Sequence, residues 1–248
     1  MLVSIVTVCF NSERTIRDTL NSVEKQSHHL IEHIIVDGKS EDKTLDIIGE
    51  YKHVSKVISE NDEGIYDAMN KGLSFCNGDI VGFLNSDDFF YNNEVISGYV
   101  EEFRNQDVDI VYGDLDFIAE NQGKTVRRWQ SSSFEKKNIS RGWIPPHPTF
   151  YAKRDLFNKL GGFDKNFKFA SDYDLMIRFL NDSSTKSYYF EGCKVKMRYG
   201  GATTKSFFNI LLGNIEILKS LKKNDIGVGK FFLFKKLISK LMQFMNLT

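Results

Sequence analysis

Apolar positions in the first third of the chain alternate between two periods. Residues 3–9 form a β-branched run, VSIVTVC, of the kind that fills a strand buried on both faces. Ile16, Leu20 and Val23 then recur at helical spacing. Residues 33–37 are again strand-like, Leu45, Ile47 and Ile48 mark a short helix, and residues 56–59 a third strand. Ile65, Ala68, Met69, Gly72 and Leu73 fall at i, i+3, i+4, i+7 and i+8, a helical stripe, and residues 80–84 make a fourth strand. Strands separated by helices predict right-handed crossovers and a mainly parallel sheet.

After residue 92 the rhythm changes. Residues 95–103 are predicted helical and 109–113 a strand. Residues 115–119 and 125–130 are placed to pair as a hairpin around Glu120-Asn121-Gln122-Gly123. All three prolines fall in Pro145-Pro146-His147-Pro148, a stiff extended turn. Residues 170–180 are helical in pattern. The expected organisation is a domain over 1–204, with halves 1–92 and 93–204, and a helical segment over 205–248.

Charge changes this picture only in the last segment. The chain of 248 residues balances 33 basic against 33 acidic residues, which gives no reason to expect a nucleic-acid partner. From Lys205 onward, however, eight lysines face two acids, Glu216 and Asp225. On a helix from Lys230, Phe231, Phe234, Leu237, Ile238, Leu241, Phe244 and Met245 share one broad face. Lys235, Lys236, Ser239, Lys240 and Gln243 lie opposite, with Phe232 the exception. Such a helix suits an anionic membrane surface, or packing on its own domain or on another subunit. Three widely spaced cysteines fit a reducing cytosol, and no apolar run reaches the length of a membrane span.

Ligands in open α/β sheets bind beyond the carboxyl ends of the strands. There the chain places Phe10-Asn11, Asp37-Gly38-Lys39-Ser40 and Asn85-Ser86-Asp87-Asp88. Neither a dinucleotide glycine fingerprint nor a P-loop is present. Adjacent carboxylates can instead hold a hard divalent cation against a phosphate, although a polar turn is the alternative at Asp87-Asp88.

The set VTVCFN (6–11), IIVDGKSEDKT (34–44), ENDEGIYDAMNKG (60–72), GDIVGFLNSDD (78–88) and ASDYDL (170–175) resembles the family 2 glycosyltransferases. The resemblance implies the GT-A fold, an α/β architecture with a mixed, mainly parallel central sheet, here followed by a helical extension. It implies metal-dependent, inverting transfer of a hexose from a nucleotide-sugar donor, expected to be a UDP-sugar, with Mn²⁺ or Mg²⁺ as cofactor. The implied acceptor is a saccharide on a polyprenyl diphosphate at the cytoplasmic face of the inner membrane, in surface-polysaccharide synthesis.

By the same resemblance Thr7, Phe10, Asn11 and Glu13 surround the nucleoside, and Asp37 accepts from the uracil ring. Asp62, Tyr66 and Lys71 line the donor diphosphate and sugar, beside Ser86. Asp87 lies near ribose and metal, Asp88 ligates the metal, and Asp172 is the catalytic base. His147, Trp143 and Arg128 are candidates on the acceptor side. Each has a structural alternative: a capping role for His147, packing for Trp143 and an exposed strand pair for Arg128. Asp174, which would not share a helix side with Asp172, is read as a helix-start charge or a salt-bridge partner of Arg178 at i+4.

Two rivals remain open. A sugar-1-phosphate nucleotidyltransferase needs a glycine-rich, arginine-containing loop after the first strand, and VTVCFNSER lacks one. A non-catalytic sugar-nucleotide-binding scaffold is the other. A processive synthase is disfavoured, because no Q-x-x-R-W follows Asp172.

Overall fold

The computed structural model describes residues 1–119, 124–200 and 207–245, with backbone alone at 207 and 239–245. The expected hairpin turn at 120–123 and the side chains of Ser239, Lys240, Leu241, Gln243, Phe244 and Met245 lie outside the described residues.

The first half follows the predicted alternation: β1 (Val3–Cys9), α1 (Ile16–Glu24), β2 (Ile31–Asp37), α2 (Thr44–Gly49), β3 (Val54–Ser59), α3 (Ile65–Ser74) and β4 (Ile80–Phe83). These four strands are parallel, in the order β3-β2-β1-β4. All seven residues of β1 are buried, as a central strand covered by helices on both faces requires. Gly82 in β4 has no room for a side chain: an added Cβ would sit 2.1 Å from the Tyr151 ring.

The second half supplies β5 (Asp88–Phe90), α4 (Val95–Asn105), β6 (Ile110–Ile118), β7 (Thr125–Trp129), α5 (Lys136–Ile139), a 3₁₀ turn (His147–Thr149), β8 (Tyr151–Lys153), α6 (Arg154–Leu160), α7 (Ser171–Asn181) and β9 (Ser187–Arg198). The expected strand at 109–113 and first hairpin arm at 115–119 are one strand, β6, buried along its whole length. The sheet continues through β4-β8-β6-β9-β5, with β7 paired to β6. It therefore runs unbroken through both expected halves.

β5 and β9 had no clear sequence signal. The chain leaves β4 at Phe83 and enters β5 at Asp88, on the far edge of the sheet beside β9. The Thr19 hydroxyl donates to the Asp88 carbonyl at 2.7 Å, and Ser22 Oγ accepts from the Phe90 amide at 3.2 Å. The sheet thus curls, bringing β5 back against α1.

Two helices end the chain, α8 (Phe207–Lys223) and α9 (Phe232–Met245). α8 is bound to α7 by side chains, so this helix is built into the fold. Among the described residues no helix is long and apolar enough to cross a membrane.

Candidate functional site

The loops leaving β1, β2 and β4 are stitched into one crevice rim. The Asn11 amide donates to Ser40 Oγ at 2.8 Å, and the Glu41 amide to Asn11 Oδ1 at 2.9 Å. Ser12 and Ser86 share a hydroxyl–hydroxyl bond of 2.9 Å. Glu13 accepts from the Lys43 amide at 3.2 Å. Asn11 (φ 49°) and Lys39 (φ 66°) both occupy the left-handed region, which asparagine tolerates better than most residues.

Phe10 stands at the mouth of this crevice, 62% exposed. Beside it lies Gly38, where an added Cβ would come 2.7 Å from Asp62 Oδ2 and 3.5 Å from Phe10. A flat aromatic face, a bare backbone and a carboxylate thus meet where the β1, β2 and β3 ends converge. Such a combination can stack a nucleobase and accept its N–H.

Two neighbouring candidates, Asp37 and Thr7, are tied into the interior. Asp37 is wholly buried and anchors its own loop. Its carboxylate takes the Ser40 amide (3.0 Å), the Ser40 and Ser59 hydroxyls and the Cys9 thiol, which leaves it a poor acceptor for a base. An Asp with a Ser three residues on is the signature of that local turn. Thr7 is also wholly buried, with its hydroxyl 3.0 Å from His33 Nε2 inside the sheet. Both face the interior because they lie within strands rather than beyond them.

Lys71 is committed as well. It donates to the Asn61 carbonyl at 2.7 Å and pairs with Glu60 (3.0 Å) and Asp67 (3.3 Å), so it braces the loop that carries Asp62. Asn11 and Glu13 serve the rim in the same way, as loop ties. Asp62 Oδ1 accepts from the Gly64 amide at 2.8 Å, just ahead of α3.

The acidic pair has an uneven environment. Asp87 is half-buried, and its carbonyl accepts from Arg198 Nη1 at 2.7 Å. Asp88 is wholly buried, and neither of its carboxylate oxygens has a hydrogen-bond partner. Burial pushes its carboxyl well above the usual carboxylate range, the Asp87 charge adds to this, and Arg198 opposes it. Two orphaned oxygens beside a second carboxylate fit a divalent cation. Among the described residues no group of three or more His, Cys, Asp or Glu side chains is placed to hold an ion. Two acids are nonetheless the protein share expected where substrate phosphates and water complete the shell.

Asp172 lies in the first turn of α7 and is half-buried. Its Oδ1 accepts the Tyr66 hydroxyl at 3.0 Å and the Tyr173 amide at 2.8 Å. Tyr66 comes from α3, so this bond joins the parallel first half of the chain to α7. Burial raises the Tyr66 phenol well above its ordinary range, and Asp172 raises it further, so Tyr66 stays a donor. Its ring stacks on Phe163 at 5.7 Å. His147 is buried behind, stacked on Phe83 at 5.8 Å and edge-on to Phe163 at 5.7 Å. Burial lowers the His147 pKa against the pull of Asp172, which favours the neutral imidazole. The acid is therefore backed by an aromatic wall and held by neutral donors.

The other acceptor-side candidates pack elsewhere. Trp143 lies among Tyr112 and Phe134, 5.9 and 6.0 Å away between ring centres. Arg128 forks onto Asp116 through Nε (2.8 Å) and Nη2 (3.1 Å).

A family model described as glycosyl transferase family 2 matches residues 4–173, which include every acid just described. The chain belongs to this family. An uncharacterized glycosyltransferase of Mycobacterium tuberculosis is 31% identical over 180 residues, 71% of this chain and 68% of the relative. A PGL/p-HBAD biosynthesis glycosyltransferase of Mycobacterium bovis is 27% identical over 202 residues, 75% of this chain and 72% of the relative. Among solved structures, S. aureus TarS 1–349 in complex with UDP-GlcNAc superposes with a TM-score of 0.71 at 20% identity, covering 99% of this chain and 72% of that one. A mannosyltransferase from Pyrobaculum calidifontis, in complex with GDP-Man and Mn²⁺, gives a TM-score of 0.65 at 16% identity, covering 99% and 70%. The chain spans 44% of the longer TarS structure. The curled sheet with its flanking helices is the GT-A fold.

In this glycosyltransferase two supporting residues escaped the sequence reading. Arg198, at the end of β9, holds the Asp87 carbonyl, pairs with Asp18 of α1 and lies over the Phe89 ring at 5.4 Å. No local pattern marks it. Glu216 of α8 accepts the backbone amides of Lys168 (3.0 Å), Phe169 (2.7 Å) and Ala170 (3.0 Å), the loop that enters α7 just ahead of Asp172. Its signal was a lone acid inside a lysine-rich helix. The expected Asp174–Arg178 pair is present at 3.1 Å. Asp174 is wholly buried, and also receives Ser220 (2.9 Å), Asn224 (3.1 Å) and Lys223 (3.2 Å).

Proposed function

We propose that this glycosyltransferase moves a hexose from a UDP-type donor to a hydroxyl of a lipid-linked saccharide, with inversion at the anomeric carbon. The observation that carries the reading is Asp172, held by Tyr66 across the two halves with its second oxygen turned to no bonded partner among the described residues. Relatives and neighbours whose names state glycosyl transfer, and structures with UDP-GlcNAc and GDP-Man, support a nucleotide-sugar donor. The preference for UDP rests on the TarS complexes, and the lipid-linked acceptor on the resemblance of the motifs to glycosyltransferases of surface-polysaccharide synthesis.

In this mechanism Phe10, the Gly38 backbone and Asp62 receive the nucleoside side of the donor. Asp87 and Asp88 are the residues that would hold Mn²⁺ or Mg²⁺. Such an ion supplies Lewis-acid stabilisation of the charge developing on the diphosphate. Asp172 takes the proton of the acceptor hydroxyl as that oxygen forms its bond to the anomeric carbon and the bond to the diphosphate oxygen breaks. One displacement from the face opposite the leaving group inverts the centre. Tyr66 fixes the orientation of the base, and the aromatic wall limits water behind it.

The deciding experiment compares Asp172→Asn with wild type across UDP- and GDP-sugars in the presence of Mn²⁺. Transfer falls by roughly 10²–10⁴-fold, the usual contribution of a general base, while UDP binding persists. Transfer at the wild-type rate would remove Asp172 from this role. Retained donor binding with no turnover in wild type would favour a binding scaffold.

A further inference from the structure

α8 and α9 expose the densest group of large apolar side chains at the end of the described chain. On α8, Phe208, Leu211, Ile215 and Leu218 are all exposed and fall at i, i+3, i+7 and i+10, one stripe along the helix. The opposite side faces the domain, with Ile217 and Leu221 buried and Glu216 bonded to the loop before α7. The stripe therefore points away from α7 and the loop before it.

α9 repeats the arrangement. Phe232, the residue that broke the apolar stripe in the sequence, is only 2% exposed and is the anchor to the core. Lys236 adds a bond to Asn214 of α8 at 3.0 Å. With that edge fixed, Phe231 (72% exposed), Phe234, Leu237 and Ile238 are left outward.

Within the described residues of α8 and α9 the exposed charges have one sign. Lys219 and Lys222 lie on the open side of α8, and Lys230 and Lys235 border the outward face of α9, all exposed. The two acids of the tail are elsewhere. Glu216 is turned to the loop, and Asp225 sits in the link between the helices. A second copy meeting this surface face to face would set lysine against lysine. An anionic lipid surface satisfies both features, because it takes apolar side chains at the acyl boundary and cations at the headgroups.

We infer that the outward faces of α8 and α9 together form a docking platform for an anionic bilayer. The platform deepens the reading of a lipid-borne acceptor and rests on it. Because the inner face of α8 grips the loop before α7, through Glu216, and α7 itself, through Asp174, docking would fix the orientation of the base relative to the lipid that carries the acceptor.

The test sediments the full chain with phosphatidylcholine vesicles, with and without phosphatidylglycerol. Wild type co-sediments with the anionic vesicles and is released as salt rises. Leu211→Glu with Phe234→Glu loses at least about tenfold in vesicle affinity while keeping its thermal shift with UDP, since both positions are exposed. Lys219→Glu with Lys222→Glu removes the salt-sensitive part. Wild type remaining in the supernatant with both vesicles overturns the platform, as does undiminished binding by the Leu211/Phe234 variant. A dimer by light scattering that this variant splits, without vesicle binding, assigns the face to a second copy instead. UDP-sugar turnover on the same preparations separates the two readings. Binding without turnover leaves the platform and sinks the catalytic proposal, and turnover without binding does the reverse.

Discussion

Tyr66 shows how one hydroxyl can matter to a base it does not replace. It supplies one of two donors to Asp172 Oδ1, and a hydrogen bond to a charged group contributes about 1.5–3 kcal/mol. Tyr66→Phe keeps the ring on Phe163 and removes only the donor. We expect kcat to fall roughly tenfold and the melting temperature to drop by a few degrees, with UDP affinity little changed. A fall in UDP affinity with unchanged kcat would instead place Tyr66 on the donor. At the acidic pair, Asp88→Asn keeps the shape and removes the charge. The expected result is loss of Mn²⁺ stimulation of transfer and loss of the Mn²⁺-dependent part of UDP binding, read by calorimetry. Unchanged metal dependence would leave Asp88 a purely internal carboxyl.

At the scale of elements, helices and loops set where those side chains stand. Glu216 closes three backbone amides ahead of α7. Glu216→Ala leaves those donors without their acceptor and should lower both kcat and melting temperature, while Glu216→Gln, whose single oxygen can still accept the Phe169 and Ala170 amides, restores part of both. Inside the β1–β3 layer, His33 is buried, 3.1 Å from His53 and stacked on it. Burial, then the His53 charge, holds the His33 pKa down at about 3 against an ordinary 6.5. The folded state thus binds fewer protons than the unfolded chain between these values. Stability is full above about pH 6.5 and is lost progressively as pH falls toward 3. Urea midpoints measured from pH 7.5 down to 4.5 should fall accordingly, and His33→Gln should flatten the slope.

Over the whole molecule, the parallel half was legible because each strand and helix there carries its own periodicity. The first four strands and the α3 stripe needed no distant partner to be recognised. β5 and β9 were not legible, because a three-residue strand exists only through pairing with a segment more than 100 residues away. The site divides the same way. Periodicity alone set Phe10, Asp87 and Asp88 just beyond strands, whereas Asp62 and Asp172 were reached only through the family resemblance. The burial of Thr7 and Asp37, and the commitments of Lys71 and Arg128 to nearby acids, depend on neighbours that local sequence does not name. The tail was seen as basic and apolar, but its grip on α7 rests on Glu216 and Asp174, two acids whose partners lie 46–50 residues away.

Arg198 has a consequence in time rather than in space. It joins the Asp87 carbonyl to Asp18 across 180 residues of sequence, and β9, which ends with it, supplies the strand that pairs with β5. The acidic pair cannot reach its final setting until that strand has been synthesised, however early the parallel half has formed. Contacts of such separation are slow to close. On refolding, far-ultraviolet ellipticity should therefore recover ahead of UDP binding. A nascent chain halted before residue 187 should hold its first four strands and still fail to retain the nucleotide in the presence of Mn²⁺.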